Sequence, residues 1–218
     1  MKVHVKICGV RALDEALAAV DAGADMLGFN FYPPSPRYVE PSTCADLIAV
    51  LHRRGLSVTT VGVFVNAPVK AITAILDECS LDLAQLSGDE PPALVEALGA
   101  RAFKAVRPQT TEAARAALDR YPRRATPPAL LIDTAHRGAY GGTGQTGNWA
   151  LARWLATRAP IMLAGGLHPE NVTGALRQVR PWGVDVASGV ESEPGRKDPA
   201  KIVAFVRAVR AFEQESSA

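Results

Sequence analysis

Eight short strand-like runs alternate with stretches of helical spacing along the whole chain, and that alternation restricts the fold more than any other feature. The strand candidates are 3–7, 26–30, 60–64, 83–87, 102–107, 129–133, 161–165 and 183–188. After the first of them, residues 12–22 place Leu13, Leu17 and Val20 at helical spacing and stop at Gly23. A second helix starts near Ser42, carries Leu47, Ile48 and Leu51, and ends before Gly55. A third follows Asn66, with Pro68 near its first turn and Ile72, Ile75 and Leu76 on one face. Residues 91–98, 111–121, 149–157 and 169–178 continue the series, and Asp198-Pro199 opens the last helix with a cap and a first-turn proline. Such alternation builds either an open doubly wound sheet or a closed barrel. Strands of a large open parallel sheet are apolar on both faces. Here polar residues recur at one strand end: Cys8, Asn30, Ser87, Asp133 and Asp185. A ring of polar ends suits a barrel mouth. The expected fold is a single α/β domain over residues 1–218, a (β/α)8 TIM barrel, and 218 residues are enough for one.

The charge pattern excludes several classes of partner. The 24 basic and 22 acidic residues leave a net charge of +2, and they are spread along the chain rather than gathered into a patch. Adjacent basic pairs such as Arg53-Arg54 and Arg123-Arg124 read as solvated helix ends. No nucleic-acid footprint is expected. No window approaches 18 uninterrupted apolar residues, and the N-terminus carries no leader-like apolar core, so no membrane partner is expected either. Three cysteines, Cys8, Cys44 and Cys79, cannot all pair within one chain, and their spacing fits no zinc site. Reduced thiols in a cytoplasmic protein are the expectation.

The first strand, Val3-His4-Val5-Lys6-Ile7-Cys8, sorts its residues by parity. Alternating side chains put Val3, Val5 and Ile7 on one face and His4, Lys6 and Cys8 on the other. In a barrel the valines and isoleucine pack outward, and Cys8 ends the strand at the C-terminal rim, where barrel enzymes work. Cys8 as a base needs partial ionisation, which Lys6 on the same face could favour; as a bland residue it is a small core filler. Asp133 ends the apolar run Leu130-Leu131-Ile132, so its carboxyl also reaches the mouth, either as a general acid or as a loop cap. Arg37 lies in a loop stiffened by Pro33, Pro34 and Pro36, which suits a guanidinium fork held for a carboxylate, although a surface arginine is the simpler reading. Three glycine-bearing segments follow strands six, seven and eight: Gly141-Gly142-Thr143-Gly144, Gly165-Gly166 and Ser188-Gly189. Glycine lets backbone N–H groups converge on phosphate oxygens, and the last two segments occupy the common phosphate position of barrels.

Taken in order, these segments resemble the phosphoribosylanthranilate isomerase family. The matching blocks are Lys6-Ile7-Cys8-Gly9, Leu27 to Tyr32, Ser35-Pro36-Arg37-Tyr38, Gly141 to Gly144, Leu163 to Leu167 and Gly183 to Glu191. The resemblance implies an Amadori rearrangement of N-(5-phosphoribosyl)anthranilate, a small phosphosugar substrate, by a monomer or homodimer. It implies Asp133 as general acid, Cys8 as general base, Arg37 on the anthranilate carboxylate and Asp185 hydrogen-bonded to substrate. Backbone around Gly165, Gly166, Ser188 and Gly189 would hold the phosphate, and no metal or organic cofactor is implied. Two positions depart from the family pattern: Ser87 stands where histidine is usual, and Gly147-Asn148 replaces an aromatic residue and aspartate before Trp149.

Two other readings remain open at this point. A related phosphosugar barrel could use Lys6 or Lys104 as a Schiff base, although both sit deeper in their strands than Cys8. The dual-substrate isomerases of histidine and tryptophan synthesis usually carry an acid on the first strand, where this chain has Cys8. A phosphate-binding barrel without catalysis would have little need of both Cys8 and Asp133.

Overall fold

A computed structural model gives the architecture for residues 2–122, 124–134 and 148–216. Eight parallel strands close into a barrel in chain order, each hydrogen-bonded to the next and the eighth to the first. They are β1 (His4–Cys8), β2 (Met26–Asn30), β3 (Thr59–Phe64), β4 (Leu83–Leu86), β5 (Ala102–Val106), β6 (Leu130–Asp133), β7 (Ile161–Ala164) and β8 (Gly183–Val186). The helices between them are α1 (Leu13–Asp21), α2 (Pro41–Arg53), α3 (Val69–Glu78), α4 (Pro92–Leu98), α5 (Thr111–Arg120), α6 (Trp149–Ala156), α7 (Val172–Val179) and α8 (Pro199–Glu215). The expected eightfold barrel is therefore the observed fold. Among the described residues no helix is long and apolar enough to cross a membrane.

Strand parity produces two cores. Val3, Val5 and Ile7 are fully buried in the outer one, between sheet and helices, as alternation requires. The inner one fills the barrel with Met26, Val61, Leu83, Phe103, Ala105, Leu131, Met162 and Ala164. A filled barrel is a packed core rather than a pore, so chemistry is confined to the rim. Lys6 is an exception inside it, fully buried. Gly28 on the neighbouring strand leaves room: a Cβ there would lie 2.9 Å from both Cys8 Sγ and Lys6 Nζ.

Local signals account for most boundaries. Asp198 caps α8 by accepting from the N–H groups of Ala200 and Lys201, and Pro199 takes the first helical position. Gly23 and Gly55 turn with φ of +93° and +68°, where other residues would be strained. Helix α7 starts later than its sequence pattern, because Asn171 ties the preceding turn: its side chain accepts from the His168 N–H and donates to the Gly166 carbonyl. Sequence periodicity also missed a short two-stranded ribbon, β9 (Glu191–Glu193) against β10 (Arg196–Lys197), and a 3-10 turn over Ser188–Val190. These pieces are too short for periodicity to reveal.

Candidate active site

The C-terminal rim surrounds a cavity that collects side chains from nearly every strand end. Cys8 enters from β1, Asn30 from β2, Asp133 from β6 and Asp185 from β8, with Arg37 from the loop after β2. Gly165, Gly166, Ala187 and Ser188 form its backbone-rich wall. Of the eight site residues expected from sequence, seven thus line one cavity. The eighth, Gly189, does not line it; a Cβ there would lie 1.9 Å from the Leu167 carbonyl oxygen. Only glycine lets the loops after β7 and β8 approach so closely. The segment Gly141 to Gly144 and Gly147 lie outside the described residues.

Cys8 and Lys6 share a face, as expected, but their balance differs from the simple sequence argument. Lys6 Nζ donates to Asp185 Oδ1 at 2.8 Å and to Gln85 Oε1 at 3.0 Å. Burial opposes the Lys6 ammonium, yet Asp185 and the Cys8 sulfur more than offset it, and its pKa is raised. For Cys8 burial dominates and pushes the thiol up, while Lys6 and Lys197 pull the other way. Lys6 thus favours the thiolate as its shared face suggested, but burial outweighs that pull.

Asp133 is buried at the end of β6, beside a residue sequence reasoning passed over. Arg107 Nε donates to Asp133 Oδ2 at 3.2 Å, and Arg107 Nη1 donates to the Ser87 carbonyl at 3.2 Å. Ser87 Oγ accepts from Gln85 Nε2 at 3.1 Å. A hydrogen-bonded path therefore crosses the barrel floor from Asp185 through Lys6, Gln85, Ser87 and Arg107 to Asp133. Parity could have found Arg107, which follows Phe103 and Ala105 on the inward face. At the other departure from the family pattern, Asn148 accepts from the Leu151 N–H at 3.0 Å, so it caps α6 as an aspartate could.

Lys104 falls on the opposite parity and leaves the site altogether. Its ammonium packs against Glu90 at 3.0 Å and donates to the carbonyls of Leu86, Gly88 and Ala105. Burial lowers its pKa, but it does not line the cavity. Lys6 faces the interior with its pKa raised, the wrong direction for an amine that must lose its proton to attack. Neither lysine suits a Schiff base.

Arg37 is clasped rather than loose. Its Nε and Nη2 donate to Glu191 Oε1 and Oε2 at 2.7 and 2.8 Å, a bidentate pair. On the phosphate side, Gly165 and Gly166 adopt φ of +93° and +68°, backbone turned so that N–H groups need not follow a strand. Among the described residues no group of three or more His, Cys, Asp or Glu is disposed to hold a metal ion.

Comparison with known proteins identifies the family. The family profile described as N-(5'phosphoribosyl)anthranilate (PRA) isomerase matches residues 5–208. N-(5'-phosphoribosyl)anthranilate isomerase of Magnetococcus marinus is 49% identical over 211 residues, 96% of each chain. The crystal structure of phosphoribosyl anthranilate isomerase from Thermotoga maritima superposes with a TM-score of 0.84 at 37% identity, covering 96% of this chain and 100% of that one. A structure of the enzyme in complex with reduced 1-(o-carboxyphenylamino)-1-deoxyribulose 5-phosphate gives 0.81 at 35% identity, with the same coverage. By sequence over nearly its whole length and by its closed barrel, the chain belongs to the phosphoribosylanthranilate isomerase family, aldose–ketose isomerases of tryptophan biosynthesis.

Proposed function

We propose that this chain converts N-(5-phosphoribosyl)anthranilate to 1-(2-carboxyphenylamino)-1-deoxyribulose 5-phosphate, with Asp133 as general acid and Cys8 as general base. The observation that carries the reading is the entry of Cys8 and Asp133 into one cavity from separate strands, between a guanidinium and a glycine-rich wall. Asp133 gives its proton to the ribose ring oxygen as the C1–O bond breaks. The nitrogen lone pair then forms an iminium with C1. The Cys8 thiolate removes the C2 proton, and the C2–H electrons neutralise the iminium as a C1–C2 enolamine. Tautomerisation places a proton on C1 and leaves the ketone at C2. The substrate nitrogen is the electron sink, so the chain's own residues need only move protons and hold the ends.

Arg37 receives the anthranilate carboxylate, and backbone N–H groups around Gly165, Gly166 and Ser188 receive the phosphate, with Gly189 bringing their loops together. Asp185, oriented by Lys6, hydrogen-bonds the substrate. We read residues 1–218 as one barrel domain acting as a cytoplasmic monomer or homodimer, a reading supported by three buried free thiols. The test is turnover of freshly generated phosphoribosylanthranilate, followed by loss of its fluorescence, together with rescue of a tryptophan auxotroph lacking this isomerase. A folded protein that neither turns over the substrate nor restores growth refutes the reading.

A further inference from the structure

Beside the cavity, two buried cations contact the same carboxylate. Arg37, Glu191 and Lys197 have side chains only 12, 4 and 0% exposed. Glu191 accepts from Nε and Nη2 of Arg37 and also from the Lys197 ammonium at 2.8 Å. Two cations thus share one carboxylate, an arrangement that burial penalises unless another anion arrives.

The arrangement is built rather than incidental. The antiparallel register of the β9–β10 ribbon sets Lys197 opposite Glu191. Its turn needs Gly195, at φ +86°, where a Cβ would lie 2.2 Å from the Pro36 carbonyl oxygen, one residue before Arg37. Arg11 Nη1 donates to the carbonyls of Pro36 and Gly195 at 3.2 and 3.4 Å, pinning the ribbon turn to the Arg37 loop. Buried Glu15 of α1 accepts from the Lys197 N–H at 2.7 Å. Lys197 Nζ also donates at 3.1 Å to the carbonyl of Ala187, which lines the cavity next to Ser188.

We propose that Glu191 and Lys197 are positioning residues that select a carboxylate-bearing substrate through Arg37, an inference that rests on Arg37 as the carboxylate clamp. Glu191 takes one edge of the guanidinium and fixes its plane, leaving the edge that includes Nη1 for an incoming carboxylate. Lys197 keeps the trio one positive charge in excess, so that the substrate's carboxylate completes neutrality. A phosphosugar without that carboxylate gains nothing from the trio.

The test compares Glu191→Gln, Arg37→Met and the double variant, each checked by thermal melting. Glu191→Gln adds to the positive excess but releases the guanidinium plane, and the loss of orientation is expected to prevail, raising KM for phosphoribosylanthranilate by about tenfold, the scale of a charge-assisted hydrogen bond, with kcat within roughly twofold. Binding of ribulose 5-phosphate, which lacks the carboxylate, stays unchanged. Because Glu191 acts through Arg37, the double variant should be no worse than Arg37→Met alone. Lys197→Gln, which keeps a donor for Ala187 and removes only the charge, provides the same KM readout should Glu191→Gln fail to fold. Multiplying losses in the double variant, an equal loss toward ribulose 5-phosphate, or an unchanged KM in both single ribbon variants overturns the inference while leaving the clamp standing. An unchanged KM in folded Arg37→Met overturns the clamp itself, and the inference with it.

Discussion

Cys8 carries the sharpest conflict between position and chemistry, because burial holds its thiol up in the free enzyme while the proposed step needs the thiolate. A base with a raised pKa is present in its active form only as pH rises toward that value. For wild type, kcat/KM, which reports the free enzyme, should therefore climb through the alkaline side of neutrality. Because loss of the Asp133 proton adds a descending limb of its own, the discriminating outcome is an ascending limb that persists unshifted in the residual activity of Cys8→Ala, which would remove Cys8 as the base. Cys8→Ala should cut kcat by about 10²–10⁴-fold while leaving affinity for the reduced product analogue largely intact. Asp133→Asn keeps the shape and the bond from Arg107 but has no carboxylic proton to give, so kcat and kcat/KM should fall together with KM little changed. A fully active, normally folded asparagine variant refutes the acid role. At this scale parity made Cys8, Asp133 and Asp185 legible as rim residues. Arg107 and Gln85 shared that inward parity and were passed over, whereas Glu191 and Lys197 were not legible, since their meaning lies in partners on other elements that no local pattern encodes.

Elements were legible wherever capping and periodicity agreed, as in α8, and less so where tertiary bonds reset a boundary, as Asn171 does before α7. Neighbouring strands can also place two glycines under different rules. Gly28 and Gly62 both lie in strands with crowded surroundings, but on opposite faces. A methyl at Gly28 meets Cys8 Sγ and Lys6 Nζ at 2.9 Å, inside the barrel; one at Gly62 meets the Phe64 ring at 2.7 Å, in the outer core. Overpacking of this kind costs about 1–3 kcal/mol in either place. Gly28→Ala should lower kcat as well as the melting temperature, because Cys8 and the Lys6–Asp185 pair must move. Gly62→Ala should lower only the melting temperature. Steady-state kinetics on both variants decide it: equal kcat in the two would show that the inner face tolerates displacement of Cys8.

At the scale of the whole molecule, closure of the barrel brings the chain's two ends into one electrostatic cluster that the sequence gives no local sign of. Asp25, just before β2, accepts from the Val5 N–H at 2.9 Å and from Arg210 of α8 at 2.7 Å. Arg210 also donates to the carbonyls of Val3 and Gly23. Burial would raise the Asp25 carboxyl, but these bonds and Lys2 prevail and its pKa is lowered. His4, stacked on Trp182, has its pKa lowered chiefly by burial. The signs agree. A carboxylate with a depressed folded pKa stabilises fully above its unfolded value, about 3.9, and loses that contribution as pH falls through the folded value. A histidine with a depressed folded pKa takes up its proton more readily when unfolded, so stability drops as pH falls below about 6.5 and levels off below the folded value. Urea midpoints for wild type should thus decline in two stages, a shallow one beginning near pH ~6.5 and a second below pH ~4. His4→Gln should remove the first stage, and Asp25→Asn should lower the midpoint at neutral pH while flattening the second. A wild-type midpoint that stays level across both ranges would show that this closure cluster does not couple protonation to folding.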